Sequence, residues 1–203
     1  DRGYLSPYFV SDKSKMSCVL KNPLILMADR SYNSIHAIMK PLELALEKSR
    51  PILIIANEIE GDAMQGLVLN KVKGSLQICA TKSPGFGATR YDLLNDLQSI
   101  VGGKVLSNSM DSNDFTEDMF GTCKKVIIKR ATTLFINEDK DASNAPDRIA
   151  DIKAKLHEPS LQDDEKELLN YRLRQLSGNI AILRVGAATE SELIERYDRV
   201  DDA

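Results

Sequence analysis

Short apolar runs alternate with apolar stripes at helical spacing along the first half of the chain. Residues 24–28, 52–56 and 76–80 are runs rich in Ile, Leu and Val, of strand length and with turn-like flanks. Between the first two, Ile35, Met39, Leu42 and Leu46 recur at i, i+4, i+7 and i+11, which predicts a helix over about 34–48. Between the second and third, Ala63, Met64, Leu67, Val68 and Val72 predict a helix ending near Val72. A turn at Pro84-Gly85-Phe86-Gly87 leads to a helix over about 88–101, which Gly102-Gly103 ends. Alternating strands and helices imply parallel pairing with helices on the sheet faces.

The second half changes character. Residues 124–129 and 132–137 predict two strands joined by a short turn, followed by a polar stretch over 138–144. Pro146 suits the first position of a helix whose stripe is Ile149, Ile152 and Leu156. Pro159 breaks that helix, and Ser160-x-x-Asp163 resembles a cap for the next. Leu168, Leu169, Leu173 and Leu176 carry this second helix, and Ser177-Gly178-Asn179 ends it. The pair predicts an αα-hairpin, and residues 179–185 predict a final strand. Thr189-x-x-Glu192 reads as a capping box before a stripe of Leu193, Ile194, Tyr197 and Val200. The chain opens on Asp1-Arg2-Gly3-Tyr4 without an initiator Met and closes within that stripe. The expectation is an excised fragment whose last helix continues.

Composition narrows the function classes. With 27 Lys and Arg against 30 Asp and Glu in 203 residues, the formal charge is −3. That balance argues against a dedicated nucleic-acid binder, which shows a basic excess. The longest apolar stretches are far too short to span a membrane. Cys18, Cys79 and Cys123 are odd in number and widely spaced, which predicts free thiols in a reducing compartment. With only two histidines, His36 and His157, a zinc site is not expected.

Candidate chemistry is sparse. Lys82-Ser83-Pro84-Gly85-Phe86-Gly87 follows a strand and precedes a helix but lacks phosphate-loop spacing, so it reads as a structural turn. Glu58, Glu60 and Asp62 follow a strand, where α/β enzymes often place acids, yet they also suit a solvated helix start. The informative feature is apolar. Tyr4, Leu5, Tyr8 and Phe9 crowd around Ser6-Pro7, and three of the 11 Phe and Tyr residues fall there. Either they pack on the core or they form a recognition surface. Leu67-Val68-Leu69 subtend about 200° of a helix, so at least one faces outward or into a groove.

These residues also resemble a known family. Asp1-Arg2-Gly3-Tyr4-Leu5-Ser6-Pro7-Tyr8-Phe9, Pro51-Ile52-Leu53-Ile54-Ile55-Ala56, Glu60-Gly61, Pro84-Gly85-Phe86-Gly87 and Val185-Gly186-Ala187-Ala188-Thr189-Glu190 are similar to motifs of group I chaperonins of the GroEL type. They occur in the family's order and at nearly its spacing. The resemblance implies an α/β, apical-domain-like fold with mixed sheet layers flanked by helices and a C-terminal αα-hairpin. It implies an apical domain over 1–180 and a truncated segment of the intermediate domain over 181–203.

The resemblance further implies a groove between two helices that binds apolar segments of non-native polypeptides and the mobile loop of a GroES-type co-chaperonin. Its matching positions are Tyr4, Ser6, Tyr8, Phe9, Met39, Leu42, Met64, Val68, Leu69 and the polar Asn70, with Leu67 in the same run. Arg2 and Glu190 match an inter-subunit ion pair. Asp202 matches the catalytic aspartate of ATP hydrolysis, which acts only in the full-length parent. That parent would be a heptameric homo-oligomeric ring using ATP and Mg, in bacterial cytoplasm, mitochondrial matrix or plastid stroma. The fragment itself would hold no cofactor or metal and would bind neither nucleic acid nor membrane. Pro41 stands one residue later than the proline such chains usually carry, which predicts an altered bend in the first groove helix. Two alternatives remain: a small-molecule-binding α/β enzyme domain, and a chaperonin homologue with a non-folding role.

Overall fold

The structure, a computed structural model, describes residues 3–137 and 145–178 and the backbone of Ile180–Arg184. In chain order, a 3-10 turn at Pro7–Phe9 precedes β1 (Cys18–Lys21), β2 (Leu24–Ala28) and β3 (Ser31–Tyr32). A second 3-10 turn, Ile35–Ile38, runs into α1 (Met39–Glu47), followed by β4 (Ile52–Ala56), β5 (Glu58–Ile59), α2 (Gly61–Val72), β6 (Ile78–Lys82) and α3 (Gly87–Val101). Then come β7 (Val105–Leu106), two short 3-10 turns, β8 (Gly121–Thr122), β9 (Lys125–Ile128) and β10 (Thr132–Ile136). Helices α4 (Pro146–Leu156) and α5 (Asp163–Ser177) and strand β11 (Ile180–Arg184) complete the described chain.

The apolar runs become the main sheet, ordered β6-β4-β2-β7, with β8 on β2. Strands β2, β4 and β6 pair in parallel, Leu26 opposite Ile54 and Ile54 opposite Ala80. All five residues of β2 and of β4 are buried, as a parallel sheet covered on both faces requires. The third strand begins at Ile78, two residues later than its apolar run, and extends to Lys82. A second, antiparallel sheet is ordered β1-β9-β10-β11. Its edge strand β1 has no sequence signature of its own. Strand β11 pairs along all five residues with β10, so the expected domain boundary at 180/181 falls inside a paired strand. The expected class, α/β with mixed sheets, flanking helices and an αα-hairpin, is the class observed.

The hairpin of α4 and α5 packs on α3 through a small apolar cluster of Ala145, Ile152, Leu169 and Leu176. Polar bonds reinforce it. Asp96 of α3 is buried, and its carboxylate accepts from Arg172 Nε at 2.6 Å and Arg148 Nε at 2.7 Å. Arg172 also reaches Asp92 Oδ2 at 3.1 Å. Burial disfavours the Arg172 charge, but Asp96 and Asp92 outweigh it and raise the guanidinium pKa. The N-terminal cap of α5 is a reciprocal pair of Gln162 and Glu165, not Ser160 and Asp163. The sequence pattern Ser-x-x-Asp lies two residues too early, and Gln162 is the residue with extended backbone at the helix start. The polar stretch 138–144 and the helix expected after Thr189 lie outside the described residues.

Candidate functional site

The aromatic segment runs along the free edge of β6. Tyr4 bridges to Thr81, and the Leu5 N–H donates to the Ala80 carbonyl at 2.8 Å. Ser6 then starts the 3-10 turn. Its backbone is extended, and its Oγ accepts from the Tyr8 N–H at 3.3 Å. Pro7 fixes the next φ. The tight turn splits the two aromatics: Phe9 is fully buried, whereas Tyr8 is 68% exposed.

The predicted helix over 34–48 is two elements. Ser34 Oγ accepts from the His36 N–H at 3.3 Å and opens the 3-10 turn, which becomes α1 at Met39. Pro41 is the third residue of α1 and is buried. The first-turn N–H groups of a helix have no intrahelical partner, so a proline there removes no bond. Ahead of Pro41 the winding changes from 3-10 to α at Met39.

Helix α2 is docked on that turn. The Ile35 N–H donates to Asp62 Oδ2 at 2.9 Å. One turn on, a Cβ at Gly66 would stand 2.7 Å from the Ile35 side chain, so glycine is what lets the two backbones approach. Helix α2 also packs against the turn at Pro7–Phe9. Thus the aromatic segment, α2, the turn 35–38 and α1 adjoin in series. Asn70 Nδ2 donates to the Gly66 carbonyl at 2.8 Å.

The expected site residues divide by depth. Tyr8, Met39 and Leu69 face solvent. Tyr4, Met64, Val68 and Asn70 are half-buried. Ser6, Phe9, Leu42 and Leu67 are buried beneath them. The run Leu67-Val68-Leu69 therefore passes from core to solvent, as its arc requires, with Leu69 52% exposed. Two further residues join the exposed side. Leu46 and Val72, assigned by spacing to core stripes, are both exposed. Val72 lies nine residues after the buried Ala63, about 180° around the helix, and that phase carries the signal. Arg2, Glu190 and Asp202 lie outside the described residues.

The other candidates are tied into structure. Glu58 pairs with Lys82 at 3.6 Å, and Asp62 holds the Ile35 N–H. Glu60 occupies the N-cap position of α2 without a side-chain cap bond. In the Gly-rich turn, Ser83 is buried and its hydroxyl donates to the Ala28 carbonyl at 3.3 Å. Gly85 has φ +69°, which suits glycine. Lys82 faces a carboxylate and Ser83 a carbonyl, so the turn does not present itself as a phosphate cradle. Among the described residues, no three His, Cys, Asp or Glu side chains gather as a metal site would need. Nor is any described helix long and apolar enough to cross a membrane.

No model of a known protein family matches the chain. Individual proteins do. Chaperonin CPN60-1, mitochondrial, of Zea mays is 40% identical over the whole chain, and the chain covers 35% of that protein. Chaperonin CPN60, mitochondrial, of Arabidopsis thaliana is 41% identical with the same coverage. Chaperonin CPN60-2, mitochondrial, of Cucurbita maxima is 40% identical, with 36% of its length covered. The chain thus spans about a third of the length of the relatives it matches. With the motifs in family order and the α/β fold in place, these matches support a group I chaperonin fragment.

Proposed function

We propose that this chain is the apical, polypeptide-receiving part of a folding chaperonin. The observation that carries the reading is where apolar surface is left in water. Among the described residues, eight large hydrophobics are exposed, and five of them lie on the aromatic segment, α1 and α2: Tyr8, Met39, Leu46, Leu69 and Val72. Soluble domains keep contiguous apolar patches small unless something binds there. Half-buried Met64 and Val68 extend the surface, and buried Phe9, Leu42 and Leu67 support it.

Such a surface suits an unfolded chain, which offers apolar side chains and no fixed shape. Two adjoining helical elements can receive an extended or hairpin segment. Met39 and Met64 favour promiscuity, because thioethers repack around varied neighbours. Burying about 100 Å² of apolar area is worth roughly 2.5 kcal/mol before ordering costs, so a single patch binds weakly. A ring of patches binds tightly through effective concentration. In this reading the mobile loop of a GroES-type co-chaperonin competes for the same surface.

The domain assignment, the heptameric ring, the Arg2–Glu190 ion pair and the Asp202 role rest on the family resemblance. ATP and Mg belong to the full-length parent. Of the three compartments, the mitochondrial matrix is favoured by the names of the relatives. The test is calorimetric titration of an apolar, loop-length peptide into the full protein and into a Val68→Ser, Leu69→Ser variant. Binding that the variant loses by tenfold or more supports the reading. Equal binding by a folded variant overturns it.

A further inference from the structure

The chain has six methionines, and they differ sharply in exposure. Met27, on β2, is fully buried, and Met64, Met110 and Met119 are half-buried against the main core. Met16 and Met39 reach solvent, at 52% and 38% exposed. Met16 lies on the loop between the bridged residues Asp12 and Ser17, which carries none of the candidate site residues. Met39 lies within the site, at the first position of α1.

The fold fixes Met39 on the solvent side. Its N–H donates to the His36 carbonyl as 3-10 winding gives way to α. Its neighbours Ile38, Pro41 and Leu42 are buried and anchor the helix start. Exposed Glu43 and Leu46 follow Met39 at i+4 and i+7, so the three share one face of α1. The thioether is thus part of a solvent-facing stripe whose other large apolar member is Leu46. The thiols are placed the other way. Cys18, Cys79 and Cys123 are free but buried, and buried structural thiols are inert. A mild soluble oxidant therefore meets thioether sulfur before thiol sulfur.

We propose that Met39 is a reversible oxidation site, at which a peroxide converts the thioether to a sulfoxide and weakens capture of apolar segments by the α1–α2 surface. The inference rests on the polypeptide-receiving function proposed above. A lone pair of Met39 Sδ attacks one oxygen of hydrogen peroxide. The O–O bond breaks, an S–O bond forms, and the departing hydroxide takes the proton of the transferred hydroxyl and leaves as water. One thioether and one peroxide give one sulfoxide and one water. The sulfur loses two electrons and the peroxide oxygens gain them.

The product carries a strongly polar S–O bond where an apolar, readily repacked side chain stood. An apolar partner must strip water from that oxygen without replacing its hydrogen bonds, which costs affinity. Methionine sulfoxide reductases return the thioether: two thiols become one disulfide, and the oxygen leaves as water.

The test is mild hydrogen peroxide treatment of the native full protein at neutral pH. Mass mapping of every methionine peptide is followed by calorimetric titration of the apolar, loop-length peptide. The expected result is a sulfoxide at Met39 and at Met16, an intact Met27, an unchanged circular dichroism spectrum, and peptide affinity about tenfold lower. Treatment with the reductases for both sulfoxide epimers should restore the affinity. Met16→Leu should lose affinity on oxidation as the wild type does. Met39→Leu, whatever its starting affinity, should change by less than about twofold. Mapping and titration of the unaltered chain are decisive even where a variant folds poorly. Three outcomes would overturn this inference and leave the proposed function standing: Met39 intact while Met16 is oxidised, a Met39 sulfoxide that binds peptide as tightly as the thioether, or an equal loss in Met39→Leu. No binding before oxidation would overturn both.

Discussion

On one side of the molecule, α2 meets the turn 35–38 through a glycine set against an isoleucine. On the other, α3 meets α4 and α5 through carboxylates set against guanidinium groups. The first contact is close and apolar, and the elements around it, the turn at 7–9, α1 and α2, keep Tyr8, Met39, Leu46, Leu69 and Val72 in water. The second buries Asp96 and Arg172 together. A buried, hydrogen-bonded ion cluster holds two elements in one geometry, because any other arrangement strands a charge. An apolar surface holds no partner to one geometry. The contrast sets a fixed scaffold on the hairpin side against an open apolar face on the α1–α2 side, the face on which the proposed function rests.

The largest effect is expected on the scaffold side. Asp96→Ala strands two guanidinium groups, one of them buried, and should cost about 3–5 kcal/mol in chemical denaturation. A loss below about 1 kcal/mol would remove the distinction between the two sides. Next comes Tyr32 on β3, whose phenol is pushed by burial up to about 12. Below pH 10 both folded and unfolded states keep the proton. Between about pH 10 and 12 the unfolded state ionises first, so folding stability falls with rising pH by up to about 3 kcal/mol. Tyr32→Phe should flatten that part of the alkaline profile.

Gly66→Ala follows. Its methyl would crowd Ile35, costing about 1–3 kcal/mol of overpacking against about 1 kcal/mol gained in helix propensity. A small net loss in thermal unfolding is expected, together with weaker peptide binding as α2 shifts from the turn. A net gain in stability would mean that the close approach is not what fixes α2. The smallest effect is Thr133→Val. Among the described residues the buried Thr133 hydroxyl has no hydrogen-bond partner, so its removal should be neutral or stabilising by about 1 kcal/mol or less.

The parts of this picture that were legible in the sequence are the local ones. Strands β2 and β4 are continuous apolar runs because both faces are covered, α2 carries its stripe up to the exposed Val72, and α3 is bracketed by the turn before it and by Gly102-Gly103. Strand β1 was not legible, because Cys18-Val19-Leu20-Lys21 is an edge whose partner β9 lies about a hundred residues away. Ile35, Met39, Leu42 and Leu46 keep one spacing across a change from 3-10 to α winding, so the pattern reads as a single helix. The ion cluster joins Asp96, Arg148 and Arg172, and no spacing links residues that far apart. At the candidate site, the residue types were evident but their depth was not. Phe9 and Tyr8 are neighbours in sequence, and only the Ser6-capped turn sends one inward and the other outward.

The most direct test places a photo-reactive side chain at Leu69 on α2 and, separately, at the exposed Lys155 on α4 of the full protein. Each is irradiated with a urea-diluted, unfolded test protein, and the cross-linked yield is measured. The account predicts strong cross-linking from position 69, suppressed by excess apolar loop peptide, and little from position 155. Equal yields from the two positions, or a yield at 69 that the peptide leaves unchanged, would contradict it.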